Sequence, residues 1–366
     1  MSTPPVPSST PTAGRTALGG LRSSVAEPID FWLQQVNPLW SVRETRARVV
    51  SVQRETERVV TVTLRPNGRW RGFTAGQHVL VTLEVDGRRL TRPWTISSAA
   101  TRERTLTLTI ARLPEGRVTG WVHDRLKPGV VVTLSEARGS FVLPEDPTRP
   151  LLMIAGGVGV TPFLSMLRTL AARGEGRDVV LLHYVRTTTE AFASDELGAI
   201  ERALPGVRVV VVPEDGEGPL SGRFAERHLQ AIVPDYERRA LLLCGPTPMM
   251  DVVREVWDRA GLSDSVHTEY FEPPARVVDD GTRVRLHFVG AGLERSGDTA
   301  TPLLDQAEAA GLTPRHGCRS GICHECTCRK VSGVVVNMRT GAVSSEPGEQ
   351  IQLCINRPVG DVVLDL

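Results

Sequence analysis

The chain has 366 residues, enough for two or three domains of ordinary size. Its 43 basic and 42 acidic side chains leave a formal charge of +1, so no overall field favours nucleic acid or an anionic membrane as the partner. No run of 18 apolar residues occurs, and the first 30 residues lack the basic-then-apolar pattern of a secretory signal. The sequence therefore predicts a soluble, cytoplasmic protein.

The N-terminal region divides into two parts. Residues 1–26 are rich in Pro, Ser, Thr and Gly, and this composition predicts a disordered tail. Residues 27–44 are predicted to form a helical extension, because large apolar side chains follow one another at amphipathic spacing: Phe31, Trp32, Leu33, Val36, Leu39 and Trp40. We expect this helix to pack on the next domain, with docking to a partner or a membrane as the alternative.

Residues 45–148 alternate apolar and polar side chains in six short runs, which is typical of strands. Asp86-Gly87 lies between two of these runs, and this dipeptide is favoured in two-residue hairpin turns because both positions need a positive φ. Six short strands in about 100 residues predict a small antiparallel β-barrel.

Residues 149–272 change to continuous apolar runs, each followed by a helical stretch, which predicts a buried parallel sheet with helices. The first run leads into the turn Gly156–Pro162, and the helix after it is predicted to be capped by Thr161 and to stop at Gly174. A glycine turn between a buried strand and a helix offers N–H donors to a pyrophosphate.

A proline-rich and acidic linker is predicted over residues 273–281, followed by a third domain over 282–366. This domain holds the most specific motif in the chain, four cysteines spaced as in plant-type [2Fe–2S] clusters: Cys318, Cys323, Cys326 and Cys354. A structural zinc site is the alternative, although zinc sites more often use two separated CxxC pairs. Cys328 lies two residues beyond Cys326, and the spacing favours Cys326 as the ligand.

With these three units in one order, the chain resembles the ferredoxin–NADP reductase superfamily. The resemblance is closest to members with a C-terminal ferredoxin domain, such as phthalate dioxygenase reductase, the phenylacetyl-CoA epoxygenase reductase subunit and the actinobacterial reductases of acyl-CoA desaturases. It implies a multidomain fold: an antiparallel β-barrel flavin domain, an α/β parallel-sheet nucleotide domain and an α+β β-grasp ferredoxin domain.

The resemblance implies a flavin site on the first domain, where the family's R-x-Y-[ST] motif appears as residues 92–95. Arg92 would pair with the flavin phosphate, Trp94 would stand in for the usual Tyr against the flavin, and Thr95 would hydrogen-bond near flavin N5. The family's phosphate segment is matched by Gly116, Val118 and Thr119. FAD is predicted, with FMN as the alternative because phthalate dioxygenase reductase uses it.

The nucleotide site implied by the resemblance begins at the glycine turn, with Gly157, Gly159, Thr161 and Pro162. After the next strand, Arg186 and the hydroxyls of Thr187–Thr189 suit a 2′-phosphate, which favours NADPH over NADH.

The family also places a Cys-Gly-Pro element, here Cys244, Gly245 and Pro246, against the nicotinamide. Thr95 and Cys244 are thus the predicted catalytic residues, with an inert buried cysteine as the alternative for Cys244. Phe271 follows Glu269 as in the family's acidic and aromatic pair near the flavin, and packing at the domain boundary is its alternative role. The eight histidines form no metal-binding pattern and are treated as ordinary.

A nicotinamide gives two electrons together and a [2Fe–2S] centre accepts one, so a flavin between them is needed. The predicted function is an NAD(P)H-dependent reductase that passes electrons to a partner protein. A membrane acyl-CoA desaturase is the first candidate acceptor, because the segment at residues 30–40 resembles that group. A Rieske or diiron oxygenase and a cytochrome P450 are the other candidate acceptors, and a redox sensor or a flavin oxidase is the alternative function. The protein would be peripheral to a membrane only through its partner.

Overall fold

The computed structural model describes residues 29–216, 220–271 and 281–366. The predicted tail and nearly all of the predicted linker lie outside these ranges. Within the described ranges, no helix is both long and apolar enough to cross a membrane.

The described chain begins with a short helix, α1 (residues 29–36). Its Asp30 is buried and accepts hydrogen bonds from the Ser41 hydroxyl at 2.8 Å and the Val42 N–H at 2.6 Å. The predicted packing of the apolar side chains is wrong for Phe31, Trp32, Val36 and Trp40, which are exposed. The helix is instead held to the rest of the chain largely through polar contacts.

The first domain is a six-stranded antiparallel sheet in the order β4-β3-β6-β1-β2-β5. A bridge between Ile96 and Leu108 brings the two edge strands together, as in a barrel. The helix α2 (Arg117–Arg125) precedes the last strand. The strands are β1 (Thr45–Arg54), β2 (Val59–Pro66), β3 (His78–Val85), β4 (Arg88–Thr95), β5 (Leu106–Ala111) and β6 (Val131–Leu134).

The β3–β4 hairpin turns at Asp86-Gly87, as predicted. Asp86 has φ 49° and Gly87 has φ 74°, and the pair Val85 and Arg88 closes the turn. The register counted from this turn places His78 directly opposite Thr95.

The second domain is a five-stranded sheet, parallel throughout, in the order β11-β10-β7-β8-β9. The short edge strand β11 was not predicted. The helix α3 ends at Gly174 in the left-handed conformation, as predicted. The strands are β7 (Leu151–Gly156), β8 (Val179–Val185), β9 (Val207–Pro213), β10 (Ala240–Cys244) and β11 (Val266–Glu269). The helices are α3 (Thr161–Arg173), α4 (Ser194–Ala203), α5 (Glu226–Ile232) and α6 (Thr247–Arg259).

The third domain joins two small sheets around the helix α7 (Leu303–Ala309), and the cysteine loop lies between α7 and β14. Cys326, Cys328 and Cys354 belong to its apolar core. The strands are β12 (Arg283–Phe288), β13 (Leu293–Asp298), β14 (Thr327–Ser332), β15 (Val335–Asn337), β16 (Val343–Ser344), β17 (Gln350–Gln352), β18 (Asn356–Pro358) and β19 (Val362–Leu364).

Helix α3 joins the first two domains through hydrogen bonds to the segment that follows β4. The Ser165 hydroxyl donates to the Ser98 carbonyl at 2.7 Å, and Arg168 donates to the Ser97 carbonyl at 2.6 Å. The Ala100 N–H donates to the Thr169 hydroxyl at 2.8 Å. This segment directly continues the predicted flavin motif at residues 92–95. The nucleotide domain is therefore held next to β4, the strand that carries the motif.

Lys330, one of two lysines in the chain, is fully buried in the third domain. Its ammonium donates to the carbonyls of Gly333 at 2.8 Å and Glu346 at 2.7 Å. Replacing Lys330 by Met leaves both carbonyls without this donor and is expected to lower the free energy of unfolding by about 1–3 kcal/mol. Chemical denaturation followed by loss of cluster absorbance would measure the change.

The other lysine, Lys127, is exposed and supplies the matched control. Lys127→Met is expected to change the free energy of unfolding by no more than about 0.5 kcal/mol. Equal effects of the two substitutions would contradict the structural role of the buried ammonium.

Candidate functional site

The predicted flavin residue Thr95 lies at the junction of the first two domains. It is buried, and its cross-strand neighbour His78 is buried as well. The ring of His78 reaches the nucleotide domain, where its Nδ1 lies 3.8 Å from a carboxylate oxygen of Glu269. That distance exceeds a hydrogen bond but brings two buried titratable groups together next to Thr95.

Cys244 and Glu269 end adjacent parallel strands and are register partners. Cys244 is fully buried, and burial together with the nearby Glu269 carboxylate raises the pKa of its thiol well above the ordinary value. Burial also raises the pKa of Glu269, and the neighbouring ring of His78 opposes that rise. The cysteine is therefore a neutral thiol rather than a thiolate nucleophile.

Arg92 and Trp94 lie on the same strand as Thr95. The Arg92 guanidinium donates to the Thr91 carbonyl at 2.7 Å and has no carboxylate partner within the described ranges. Burial and the like charge of Arg319 lower the pKa of Arg92. A guanidinium with a neighbouring cation and no carboxylate fits a phosphate. Trp94 is half-buried and packs against the apolar core of the barrel.

The predicted phosphate segment lies at the start of α2. A cavity of about 340 Å³ is lined there by Gly116, Arg117 and Gly120, among other residues, but Arg92 is not part of its lining. Val118 is buried in the barrel core. The Thr119 hydroxyl donates to the Gly116 carbonyl and accepts from the Leu113 N–H, so it closes the turn instead of pointing at a ligand.

The glycine turn after β7 touches the Cys-Gly-Pro segment after β10. A Cβ on Gly159 would lie 2.3 Å from the Cys244 carbonyl oxygen and 2.9 Å from the Gly245 Cα. A Cβ on Gly156 would lie 2.5 Å from a ring atom of Pro246. These two glycines are required because the backbones approach too closely for any side chain.

The helix after the turn begins differently from the prediction. A 3₁₀ turn (Gly157–Val160) comes first, and Val160 occupies the N-cap position. Thr161 is the first helical residue, and its hydroxyl donates to the Val158 carbonyl at 3.1 Å, so it does not cap the helix. Pro162 lies in the first turn, where its missing N–H costs nothing.

His183 supports the same turn and was not singled out by the sequence analysis. It is fully buried, and its Nε2–H donates to the Gly157 carbonyl at 2.9 Å. Burial lowers its pKa to about 4, so the ring is neutral at physiological pH. The bond helps to hold Gly157 at its positive φ of 53°.

Arg186 is exposed at the end of β8, next to the hydroxyls of Thr187 and Thr189, which bond each other at 2.9 Å. The adjacent strand brings Glu214 and Asp215 to the same edge, since the Asp215 N–H donates to the Arg186 carbonyl. These exposed carboxylates were not anticipated near the predicted ribose site.

Tyr270 and Phe271 follow β11 and have different surroundings. Phe271 packs against an apolar cluster that includes Phe141 of the first domain and Phe163 of the second, which is the boundary role considered for it. The guanidinium of Arg339, from the third domain, lies 4.2 Å from the ring centre of Tyr270 in a cation–π contact. Arg254 joins the two, donating to the Tyr270 hydroxyl and the Arg339 carbonyl, both at 3.1 Å.

The cysteine loop directs backbone N–H groups at a sulfur atom. The N–H groups of Ser320, Ile322 and Cys323 each lie 3.3 Å from Cys318 Sγ. Arg319 and Gly321 have positive φ, which curls the loop around that sulfur. This array stabilises negative charge on the sulfur, as a cluster ligand requires.

The four predicted ligands are neighbours in the structure. Cys318 contacts the thiols of Cys323 and Cys354, and Cys326 contacts Cys354. Among the described residues, no three His, Cys, Asp or Glu side chains are arranged around a single ion. A two-iron cluster does not need that arrangement, because its four thiolates are shared between two metals. The donor set therefore fits a [2Fe–2S] cluster.

Cys328 lies apart from this set. Its buried thiol is directed at the Asp365 carbonyl, and burial raises its pKa to about 11. It belongs to the apolar core of the domain, as the sequence analysis favoured.

One residue connects the β3–β4 hairpin to the cysteine loop. Arg138 pairs through its backbone with His78, with N–H to carbonyl distances of 2.9 Å in both directions. Its guanidinium reaches the third domain, 3.5 Å from the Cys323 carbonyl and 3.2 Å from a Glu325 carboxylate oxygen. The path from Thr95 to the predicted cluster ligand Cys323 therefore runs across His78 and Arg138.

A flavin-type barrel, a parallel nucleotide sheet and a cluster loop in contact define an iron–sulfur flavoprotein reductase. Three family models match in this order. They are an oxidoreductase FAD-binding domain at residues 47–143, an oxidoreductase NAD-binding domain at 153–255 and a 2Fe-2S iron-sulfur cluster binding domain at 288–358. The chain belongs to the ferredoxin–NADP reductase superfamily, in the group with a C-terminal [2Fe–2S] domain. It is an oxidoreductase whose cofactors are FAD, NAD(P)H and a [2Fe–2S] cluster.

Similar proteins cover nearly the whole chain. An NADPH oxidoreductase of Mycobacterium tuberculosis is 36% identical over 96% of this chain and 93% of its own length. The glycine betaine monooxygenase reductase subunit of Chromohalobacter salexigens is 29% identical over 80% of this chain and 87% of its own length. The solved structure of phthalate dioxygenase reductase shares the fold, with a TM-score of 0.61 and 23% identity over 88% of this chain and 98% of that one.

The close approach at Gly159 gives a first test of the nucleotide site. Gly159→Ala must displace either the turn or the Cys244 carbonyl, and we expect the KM for the nucleotide to rise about tenfold to a hundredfold. Gly176→Ala is the control in the same domain, because its Cβ would meet nothing closer than 3.9 Å. Steady-state ferricyanide reduction would measure both variants, and an unchanged KM in Gly159→Ala would contradict the close approach.

The choice between Cys326 and Cys328 gives a second test. Cys326→Ser is expected to lose the cluster, because it removes one of four contacting thiols, whereas Cys328→Ser is expected to retain it. Iron content and visible absorbance of the purified variants would distinguish them. Loss of the cluster in Cys328→Ser with retention in Cys326→Ser would reverse the ligand assignment.

Proposed function

We propose that the protein takes electrons from NAD(P)H and delivers them one at a time to an iron-dependent oxygenase or desaturase. The observation that carries the proposal is the Arg138 connection, which brings a cluster ligand next to the strand of Thr95. When bound, FAD supplies the conversion between the two-electron chemistry of nicotinamide and the one-electron chemistry of the cluster.

We further propose roles for the residues at the flavin. Arg92 holds the phosphate, Trp94 lies against the flavin and ribityl chain, and the Thr95 hydroxyl lies near N5. Val118 offers its backbone N–H in the first turn of α2. Gly116, whose own N–H donates to the Leu113 carbonyl, and Thr119 shape the turn that precedes it.

At the nucleotide, we propose that Gly157, Gly159 and Pro162 shape the turn that receives the pyrophosphate, and Thr161 closes it. Gly245 and Pro246 lie against the nicotinamide ring. Cys244 contributes a neutral, buried thiol there, and its contact with the glycine turn keeps the two halves of the site in register.

We propose NADPH as the preferred donor, through Arg186 and the adjacent hydroxyls. The name of the mycobacterial relative, an NADPH oxidoreductase, supports this preference. Glu214 and Asp215 favour the opposite choice, since a carboxylate suits an unphosphorylated ribose. The proposed preference for NADPH therefore requires Arg186, rather than Glu214 or Asp215, to face the ribose.

For the acceptor we propose an acyl-CoA desaturase first, with a Rieske or diiron oxygenase and a cytochrome P450 as the other candidates. The name of the Chromohalobacter relative, a monooxygenase reductase subunit, supports the oxygenase class. The N-terminal segment supports the desaturase class. We propose a cytoplasmic location in either case.

The proposal is tested by anaerobic titration of the purified protein with NADPH and then NADH, with flavin and cluster absorbance followed together. We expect substoichiometric nucleotide to bleach both. A flavin that is reduced while the cluster stays oxidised would contradict internal transfer and favour a redox sensor.

Arg138→Gln makes this test specific to the interface. The partly exposed ion pair with Glu325 is worth about 0.2–1 kcal/mol, so we expect cluster bleaching to slow by about 1.4- to fivefold. Flavin reduction should keep its rate, because Arg138 does not touch the nucleotide site. Stopped-flow absorbance would measure both phases.

Arg71→Gln is the matched control, since Arg71 pairs with Glu136 on the surface of the same domain. We expect it to leave both phases unchanged. Equal slowing of the two phases in Arg138→Gln would indicate general damage to the flavin domain and would contradict the assigned role.

A further inference from the structure

The beginning of the described chain exposes a cluster of large apolar side chains. We define it as the aromatic surface, and it consists of Ile29, Phe31, Trp32, Val36 and Trp40. Trp32 is 69% exposed and Val36 is 75% exposed. Contiguous exposed apolar patches on folded proteins mark sites of interaction.

Polar contacts hold the aromatic surface in place. Asp30 binds Ser41 and Val42 from within, as described above. Arg46 donates to the Pro38 carbonyl at 2.6 Å, and the Asn67 side chain donates to the Leu39 carbonyl at 3.2 Å. The segment is thus tied to the barrel on one side while its aromatic side chains face solvent.

The charges beside the aromatic surface are mainly positive. Arg43, Arg48 and Arg89 form what we define as the basic rim. Arg48 reaches the Asn37 side chain at 3.4 Å, and Arg43 follows Val42, whose N–H donates to Asp30. Glu44 lies 3.8 Å from Arg89 and is shared with Arg46, the mostly buried arginine that holds the segment.

The other carboxylate of the segment, Asp30, is turned inward and only 7% exposed. The residues between the aromatic side chains, Gln34 and Gln35, carry no charge. The surface therefore presents aromatic groups and positive charge together, although the whole chain is nearly neutral. That combination matches the interface of an anionic bilayer, where Trp and Phe enter the headgroup region and Arg binds lipid phosphate.

We propose that the aromatic surface and the basic rim form a peripheral binding surface for anionic membranes. The aromatic side chains enter the headgroup boundary and the arginines contact lipid phosphate. This binding surface rests on the proposed function, because membrane binding would bring a reductase close to a membrane-bound acceptor. An acidic protein surface is the competing occupant.

The experiment uses the full-length holoprotein and vesicles of phosphatidylcholine, alone or with about one third phosphatidylglycerol. We expect sedimentation with the anionic vesicles, weaker binding at raised salt and little binding to the neutral ones. The double variant Trp32→Ser/Val36→Ser should lower the partition coefficient by about tenfold or more. Arg43→Gln/Arg48→Gln should weaken binding to the anionic vesicles.

Two exposed valines of the third domain supply the matched control, since Val289 is 46% and Val359 is 53% exposed. Val289→Ser/Val359→Ser should bind vesicles as the unaltered protein does. An equal loss in this control would overturn the assignment of the surface. Equal binding to neutral and anionic vesicles would overturn the role of the basic rim.

Absence of vesicle binding by the unaltered protein would overturn the inference. The competing result is that a purified acceptor is captured without lipid, with the capture lost in Trp32→Ser/Val36→Ser and no binding to vesicles. That result would replace the membrane proposal with a protein contact. Ferricyanide reduction in solution reports the proposed function separately. An inability to reduce ferricyanide would contradict the proposed function. Vesicle binding would still test the aromatic surface independently.

Discussion

The register of one β-hairpin determines how the three domains meet. Asp86 and Gly87 take positive φ and close a two-residue turn, so every pair along β3 and β4 follows by counting. This counting places His78 opposite Thr95. A slip of one residue would turn both side chains to the other face of the sheet and remove His78 from Glu269 and Thr95 from the junction.

Burial disfavours charge on the titratable groups at and beside the junction. Burial raises the pKa values of Cys244 and Glu269 and lowers that of His183, and in each case it disfavours the charged form. These shifts follow from the large cost of isolated charges in an apolar setting. Charge is kept at the edges, on Arg92 and Arg138. The arrangement separates a weakly polar centre from cationic positions that suit phosphate and the cluster loop.

Much of this architecture could be predicted from the sequence, because local patterns carry it. Alternation along β1 to β6, the Asp86-Gly87 turn and the cysteine spacing all act over short stretches. The edge strands β11 and β13 were missed, since neither shows a continuous apolar run or a clean alternation. The proximity of His78 to Thr95 was available by counting from the turn. The contact of His78 with Glu269 was not, because it depends on how two domains dock.

The helix start after β7 shows a second limit. Thr and Pro together at a strand-to-helix turn suggest a cap, but the backbone first completes a 3₁₀ turn that moves the cap position to Val160. Within that turn Gly159 lies against the Cys244 carbonyl, a contact between residues 85 positions apart in sequence. Local sequence propensities cannot predict a contact between residues so far apart in the chain.

Two of the contacts between the domains differ in their physical character. Helix α3 binds the flavin segment through largely buried hydrogen bonds to backbone groups, whereas Arg138 and Glu325 form an ion pair open to solvent. Salt weakens exposed ion pairs such as the second contact, whereas it barely affects the hydrogen bonds of the first. Raised ionic strength therefore loosens the cysteine loop from Arg138, while the nucleotide domain stays bound to the flavin domain and the third domain keeps its hydrogen bond from Arg254.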